Sequence, residues 1–249
     1  MLCILFAGIM QIAANFINDL FDHLKGTDRA DRLGPERACA KGWITPHAMR
    51  IGIGITIAAA CATGLMLLPY GGITLVWIGA ACVVFAFLYT TLLSYIGMGD
   101  VLVWVFFGLV PVAATYYVQT GSIAPQVWWA AAGCGLSIDT LLILNNYRDR
   151  HTDASSGKRT IIVVLGERFG SLLYLSSGIA STLCAATALH TAGAPAFTLL
   201  LPCLYLPMHI TTWRTMTRIN QGRALNSVLA KTSVCILVYG ITLSIGFLM

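Results

Sequence analysis

The sequence predicts an all-α protein, a multi-pass bundle of about eight transmembrane helices that forms a single domain over residues 1–249. Hydrophobic residues make up 57% of the chain and charged residues only 10%. A soluble domain carries roughly 25% charged residues, so water is not the solvent of this surface. Several apolar runs also reach the roughly 20 residues that a helix needs to cross a bilayer.

Eight apolar runs define the predicted spans. In chain order they are 1–20, 48–68, 73–93, 100–118, 126–146, 171–190, 194–212 and 228–248. The short connections at 69–72, 119–125 and 191–194 contain no Lys, Arg, Asp or Glu. Nearly all charged residues therefore fall on the alternate connections, as expected of spans that cross the membrane in turn.

The fifteen basic residues all follow odd-numbered spans, which places them on one side of the membrane. They are Lys25, Arg29, Arg32, Arg37, Lys41 and Arg50 after the first span, Arg148, Arg150, Lys158, Arg159 and Arg168 after the fifth, and Arg214, Arg218, Arg223 and Lys231 around the seventh connection. The positive-inside rule makes this side cytoplasmic. We therefore predict a protein of the inner (cytoplasmic) membrane, in which the net charge of +5 sets orientation and does not indicate nucleic-acid binding.

A polar motif, NFINDLFDHLKGTD, ends the first span. Its Asn15, Asn18, Asp19 and Asp22 recur at i, i+3, i+4 and i+7, so they share one helical face. An isolated acidic residue at a helix end is usually a solvated loop residue. A repeat at helical spacing that begins with Asn inside an apolar helix instead indicates a site.

A second motif, NNYRDRHTDASSGKRT, ends the fifth span. Asn145, Asp149 and Asp153 recur at i, i+4 and i+8 and line one face if the helix continues that far. Both motifs lie at the same predicted membrane depth and beside Lys and Arg. Acidic clusters without neighbouring bases would instead suggest cation transport.

Carboxylates beside basic residues fit a magnesium ion bridging protein oxygens and substrate phosphates, because Mg²⁺ binds a few carboxylates together with phosphate oxygens. The predicted ligands are Asn18, Asp19, Asp22, Asp149 and Asp153, and the four aspartates are the predicted catalytic residues. The predicted diphosphate contacts are Lys25, Arg32, Arg37, Arg148, Lys158 and Arg159. Asn15, Asn145 and Asn146 are predicted to contact other parts of the substrate.

One more carboxylate, Asp139, lies inside the fifth span. An intramembrane carboxylate is a functional candidate. A neighbouring Ser, Thr or Tyr could equally satisfy it in its protonated form, so both interpretations stay open.

These motifs resemble those of the UbiA superfamily of intramembrane prenyltransferases, in particular its 1,4-dihydroxy-2-naphthoate branch, the MenA type. NDLFDHLKGTD with DRLGPERACAKGWIT is similar to the branch's first signature, and NNYRDRHTDASSGKRT with LGERFG is similar to the second. GMGDVLVWVFFGLVPVAATYYVQTG is similar to the fourth helix of that branch and the loop after it. The resemblance implies that the aspartates bind magnesium diphosphate and that the acceptor loses its carboxyl group, giving a demethylmenaquinone.

Two features depart from the family pattern. The family has nine helices with the first aspartate motif after the second, whereas here that motif follows the first span. The apolar stretch from Met1 to Ile17 also covers only about 25 Å, so we expect a thin first span and a missing N-terminal helix. In addition, YTTLLSYIGMGD after the third span lacks the basic residue that the family usually has there, which weakens the expectation that this loop binds substrate.

The predicted function is Mg²⁺-dependent transfer of a polyprenyl group from its diphosphate to 1,4-dihydroxy-2-naphthoate within the lipid bilayer. Another aromatic acceptor, such as 4-hydroxybenzoate, is the alternative within the same class. From other classes, the alternatives are a cation-coupled transporter that uses the acidic residues as its ion site, and an inactive family member with a binding role.

Overall fold

The computed structural model describes residues 1–26 and 32–249, and every regular element in these two ranges is helical. Arg29, counted above among the basic loop residues, lies outside the described residues. Eight helices in the described ranges are long and apolar enough to cross a membrane, which confirms the prediction. They are α1 Leu2–Lys25, α2 Pro46–Leu65, α3 Thr74–Thr91, α4 Gly99–Thr120, α5 Pro125–Ser155, α6 Ile161–Thr191, α7 Ala196–Ile219 and α8 Leu225–Leu248.

Two helices extend beyond their apolar runs at the end that carries the polar motifs. Helix α1 has 24 residues and is therefore about 36 Å long. The helix is therefore longer than the apolar stretch from Met1 to Ile17 on which the expectation of a thin first span rests, because the polar residues after Ile17 continue it. Helix α5 has 31 residues and includes the whole second motif. Asn145, Asp149 and Asp153 therefore lie on a continuous helix.

Helix α5 is the centre of the bundle and packs against α4, α6 and α8. Small residues allow its close contact with α4. A methyl group added at Gly108 would lie 2.3 Å from Gly135 Cα, so the two backbones touch directly. Around this crossing, α4 is π-helical from Trp104 to Leu109, and the indole Nε1 of Trp104 donates to the carbonyl oxygen of Ala132 at 3.1 Å.

Buried aromatic residues join α6, α7 and α8 on the other side of α5. Tyr174, Tyr205 and Tyr239 are almost completely buried, and the ring of His209 stacks on those of Tyr174 and Tyr205. The His209 ring also hydrogen-bonds the Tyr174 carbonyl and the Tyr205 hydroxyl, each at 3.0 Å. These hydrogen bonds satisfy the buried imidazole and join α6 to α7. The Tyr239 hydroxyl joins α8 to α6 by donating to the Ser181 carbonyl at 3.0 Å.

Three connections on the motif side complete the frame of the site. The segment from Arg32 to Thr45 precedes α2, a 3₁₀ turn from Leu93 to Ile96 links α3 to α4, and residues 156–160 link α5 to α6. The Arg159 amide donates to the Tyr95 carbonyl at 3.0 Å, which ties this 3₁₀ turn to the start of α6. Helix α6 is broken at Gly166, whose φ of 87° lies in the left-handed region that favours glycine.

Candidate functional site

A cavity of about 490 Å³, called here the polar cavity, lies where the motif ends of α1, α3 and α5 meet segment 32–37. Eleven of the fourteen predicted site residues line it. They are Asn15, Asn18, Asp22, Arg32, Arg37, Asn145, Asn146, Arg148, Asp149, Asp153 and Lys158. The structure therefore brings the two motifs together although they are more than 120 positions apart.

Each predicted aspartate in the polar cavity has a basic neighbour. Arg148 binds Asp149 through two hydrogen bonds, Nε to Oδ1 at 2.7 Å and Nη2 to Oδ2 at 2.6 Å. Arg37 Nη2 lies 3.7 Å from Asp22 Oδ2, and Lys158 Nζ lies 3.8 Å from Asp153 Oδ1. The last two separations are long for a direct hydrogen bond.

Asp19 differs from the other aspartates because it does not line the polar cavity. Its carboxylate is buried and accepts hydrogen bonds from the backbone amides of Ala38 and Cys39, at 2.9 and 3.0 Å. Each amide donates to a different carboxylate oxygen. This contact fixes segment 32–41 against α1, and the geometry favours a positioning role over the predicted metal-ligand role.

Lys25 and Arg159 also lie outside the lining of the polar cavity. Lys25 Nζ donates to the carbonyl oxygens of Thr90 and Thr91, at 3.1 and 2.7 Å, and lies 3.8 Å from the centroid of the Tyr95 ring. Lys25 therefore stabilises the C-terminal end of α3, where helix carbonyls lack partners within the helix. Arg159 contributes its backbone amide to the 3₁₀ turn described above.

No motif in the sequence indicated the residues that the end of α3 and the following 3₁₀ turn contribute to the polar cavity. Tyr89, Thr90, Ser94 and Tyr95 line the polar cavity, and the Thr90 hydroxyl donates to the side-chain oxygen of Asn18. The segment YTTLLSY therefore helps to form the site although it lacks a basic residue. The only available signal was the appearance of hydroxyl-bearing residues at the end of an otherwise apolar run.

The lining of the polar cavity suits a divalent cation bound together with a phosphorylated ligand. Its described residues include four carboxylates and four basic side chains, so their formal charges cancel. The remaining acceptor capacity includes Asp153 Oδ2, which is buried and has no hydrogen-bond partner among the described residues. Within those residues, no three His, Cys, Asp or Glu side chains are grouped to hold a metal alone. A magnesium ion that takes one or two carboxylates and completes its shell with phosphate oxygens fits this arrangement.

A second cavity, about 310 Å³ in volume and called here the apolar cavity, adjoins the polar one. Its walls are mostly apolar side chains of α1, α3 and α4, including Phe6, Phe85 and Phe106. Asn15, Asn18 and Tyr89 line both cavities and mark their junction. The pair of cavities therefore matches a molecule with an anionic head and a hydrocarbon tail.

Asp139 is buried but lines neither of these cavities. Its Oδ1 atom has no hydrogen-bond partner among the described residues, and the same holds for Asp100 Oδ1 near the start of α4. Neither atom is therefore satisfied by a described Ser, Thr or Tyr, so the interpretation in which such a neighbour satisfies Asp139 is not met at Oδ1.

Comparisons with known proteins agree with this architecture. The model of the UbiA prenyltransferase family matches residues 1–248. A 1,4-dihydroxy-2-naphthoate octaprenyltransferase of Escherichia coli is 35% identical, with 82% of this chain and 70% of that protein covered. The protein of the same name from Haemophilus influenzae is 33% identical, with 99% and 83% covered. The solved structure of a UbiA homologue from Aeropyrum pernix, 14% identical, superposes with a TM-score of 0.73 over 98% of this chain and 90% of that one.

Proposed function

Because this chain belongs to the UbiA prenyltransferase family, we propose that it transfers a polyprenyl group from a polyprenyl diphosphate to 1,4-dihydroxy-2-naphthoate. Similar proteins carry the name of that reaction, and they match most of the chain. The product would be a demethylmenaquinol, the reduced form of a demethylmenaquinone, together with diphosphate and carbon dioxide.

The junction between the two cavities carries the proposal. This junction, formed by Asn15, Asn18 and Tyr89, lies between the charged lining of the polar cavity and the apolar walls of the apolar cavity. A polyprenyl diphosphate bound with its head in the polar cavity and its tail in the apolar cavity has its allylic carbon–oxygen bond near this junction. That bond breaks with both electrons leaving on the diphosphate. The allylic cation then forms a bond with the acceptor ring carbon, which loses its carboxyl group.

The lining of the polar cavity supplies groups for the leaving diphosphate. Asp22, Asp149 and Asp153 would hold magnesium, which supplies positive charge that the balanced protein lining lacks. Arg32, Arg37, Arg148 and Lys158 are placed to contact the remaining phosphate oxygens. Charge develops mainly on the departing oxygens, so contacts made there stabilise the transition state most.

The other predicted residues take supporting roles. Asn15, Asn145 and Asn146 offer amide groups to the substrate around the junction and the adjoining wall. Asp19, Lys25 and Arg159 act as positioning residues, because their polar groups hold segment 32–41, the α3 end and the 3₁₀ turn. The apolar side chains of α1, α3 and α4 keep water from the allylic cation.

We place the site on the cytoplasmic side of the inner membrane. The polar cavity lies at the ends of α1 and α5 that the basic connections follow, and those connections stay in the cytoplasm by the positive-inside rule.

Incubating the purified chain with one polyprenyl diphosphate and a panel of acceptors tests the proposal. Mass spectrometry should detect a prenylated, decarboxylated product from 1,4-dihydroxy-2-naphthoate, with diphosphate released in the absence of an ion gradient. A product from 4-hydroxybenzoate alone would reassign the acceptor. Gradient-driven solute flux in sealed vesicles without diphosphate release would support the transporter alternative.

We also expect a chelator to abolish turnover and added magnesium to restore it, since the charges lining the polar cavity balance without a substrate. Diphosphate release at controlled free Mg²⁺ is the measurement. Full turnover in excess chelator would contradict the metal assignment.

A further inference from the structure

A third cavity lies on the other side of segment 32–37 from the polar cavity. This basic cavity has a volume of about 640 Å³ and is bounded by segment 32–41, α5 and the first three turns of α8. Segment 32–37 and Arg148 line both the polar and the basic cavity, so they form the wall between them. None of the functions proposed above uses this space.

The charge of the basic cavity differs from that of the polar cavity. Its described lining includes five basic side chains, Arg32, Arg37, Lys41, Arg148 and Arg223, and one carboxylate, Glu36. Glu36 is already paired with Lys41 at 2.7 Å. Because Arg32, Glu36, Arg37 and Arg148 line both cavities, the two linings together carry a formal excess of two positive charges, contributed by Lys41 and Arg223 of the basic cavity. An anion can bind here without a bridging metal ion.

Hydrogen bonds between distant parts of the chain hold these walls in place. Asn226 Nδ2 donates to the Leu33 carbonyl at 2.9 Å, and Asn226 Oδ1 accepts from Arg148 Nη1 at 2.7 Å. Arg223 Nη2 donates to the Arg32 carbonyl at 3.2 Å. Arg37 Nε, in the wall that the two cavities share, is buried and has no partner among the described residues.

The side of the basic cavity formed by α5 and α8 is apolar or uncharged. Leu141, Leu229, Ala230 and Ser233 line it, and the last two are exposed. Further along the same face of α8, Leu237 and Ile241 follow Ala230 at i+7 and i+11 and are 61% and 48% exposed. The cavity therefore continues into an apolar surface that extends about 17 Å along the helix.

We propose that the basic cavity binds the phosphate headgroup of an anionic phospholipid, whose acyl chains lie along the exposed face of α8. Basic pockets between transmembrane helices at the cytoplasmic surface are suited to anionic lipid headgroups. A phosphodiester headgroup fits a metal-free cationic site, and the adjoining apolar face fits hydrocarbon chains. A bound headgroup would also restrain segment 32–37, which lines the polar cavity on its other side.

Native mass spectrometry of the purified chain in mixed micelles tests this proposal with two probes, dioleoyl phosphatidylglycerol and dioleoyl phosphatidylcholine. We expect a retained phosphatidylglycerol that excess inorganic phosphate does not displace, and no retained phosphatidylcholine. The variant Lys41→Gln/Arg223→Gln should weaken phosphatidylglycerol binding roughly 30-fold, since each basic residue near a membrane surface contributes about fivefold. Both side chains lie outside the proposed diphosphate contacts.

The matched control is Arg214→Gln/Arg218→Gln, which removes two exposed basic side chains from α7 that do not line the cavity. It should leave phosphatidylglycerol binding unchanged. Ala230→Trp is a second test that fills the apolar side without changing charge, and it should also reduce binding. Four outcomes would each overturn the proposal. Two concern the lipids: both double variants lose phosphatidylglycerol equally, or both lipids are retained equally. The other two are that inorganic phosphate displaces the lipid, or that a second copy of the chain occupies this face.

Discussion

At the scale of single residues, the aspartates of the two motifs fall into two kinds according to what surrounds them. Asp22, Asp149 and Asp153 line the polar cavity beside basic side chains, whereas Asp19 is bound to backbone amides. Helical spacing puts Asp19 and Asp22 on adjacent turns of one face and cannot distinguish their partners. The difference arises from segment 32–41, whose path depends on contacts that no local pattern in α1 encodes.

Asp153→Asn should lower turnover at least about 100-fold while the protein stays folded, because it removes a negative oxygen from the proposed metal site. The measurement is diphosphate release at saturating magnesium, with the thermal midpoint as the check on folding. Glu167→Gln is the matched control, since Glu167 pairs with Arg150 outside the polar cavity. Near-normal turnover in purified Asp153→Asn would remove this residue from the proposed site.

Asp19→Ala should destabilise the fold more than Asp22→Ala. It leaves the amides of Ala38 and Cys39 without their side-chain acceptor, and each unsatisfied buried group costs about 1–3 kcal/mol. Asp22 instead has a partly exposed basic neighbour at 3.7 Å, an interaction worth much less. Thermal midpoints in detergent should show the difference, with Asp19→Asn intermediate because it keeps one acceptor oxygen. Equal midpoints for the two alanine variants, with a raised magnesium requirement in Asp19→Ala, would restore the metal-ligand role.

At the scale of elements, the apolar runs located the eight helices but not their full lengths. The criterion of hydrophobicity detects only the part of a helix that lies in hydrocarbon. Helices α1 and α5 continue to Lys25 and Ser155. Polar residues can extend a helix where water and neighbouring segments provide hydrogen-bond partners for their side chains. These polar extensions carry the candidate site. The break of α6 at Gly166 and the π-helical part of α4 depend on local backbone conformation and had no hydrophobic signal.

The crossing of α4 and α5 gives a prediction at this scale. Gly108→Ala would place a methyl group 2.3 Å from Gly135 Cα, so the helices must separate or bend. Overpacking of this kind costs about 1–3 kcal/mol, and the thermal midpoint should fall accordingly. Gly240→Ala on α8 is the matched control, because a methyl group there meets no atom within 4 Å. If both variants have the same midpoint, the close contact between Gly108 and Gly135 does not limit stability.

At the scale of the whole molecule, the site forms only where several helices of the chain pack together. The polar cavity combines α1, α3, α5 and segment 32–37, and the apolar cavity combines α1, α3 and α4. The distribution of Lys and Arg among the connections predicted which membrane face would hold the motifs, because alternate connections lie on the same side of the membrane. It could not predict that Tyr89 would lie at the junction of the two cavities, since that position depends on how α3 packs against α1 and α4.

The apolar cavity itself can be tested without touching any charged residue. Gly79 lines it, and a side chain at this position starts in open space because an added methyl group meets no atom within 4 Å. Gly79→Leu should therefore fold normally but occupy part of the space assigned to the prenyl tail. We expect the Michaelis constant for a long polyprenyl diphosphate to rise roughly tenfold relative to that for geranyl diphosphate, because added methyl groups in an apolar pocket discriminate on this scale.

Gly240→Leu is the matched control for Gly79→Leu, since Gly240 is equally open and does not line the cavity. Steady-state kinetics with the two diphosphates and one acceptor give the ratio of Michaelis constants for each variant. A selective change in Gly79→Leu, with the acceptor constant unaltered, would assign the apolar cavity to the tail. If both leucine variants keep the ratio of the unmodified chain, the prenyl tail lies outside the apolar cavity. The allylic carbon–oxygen bond would then have no reason to lie at the junction formed by Asn15, Asn18 and Tyr89.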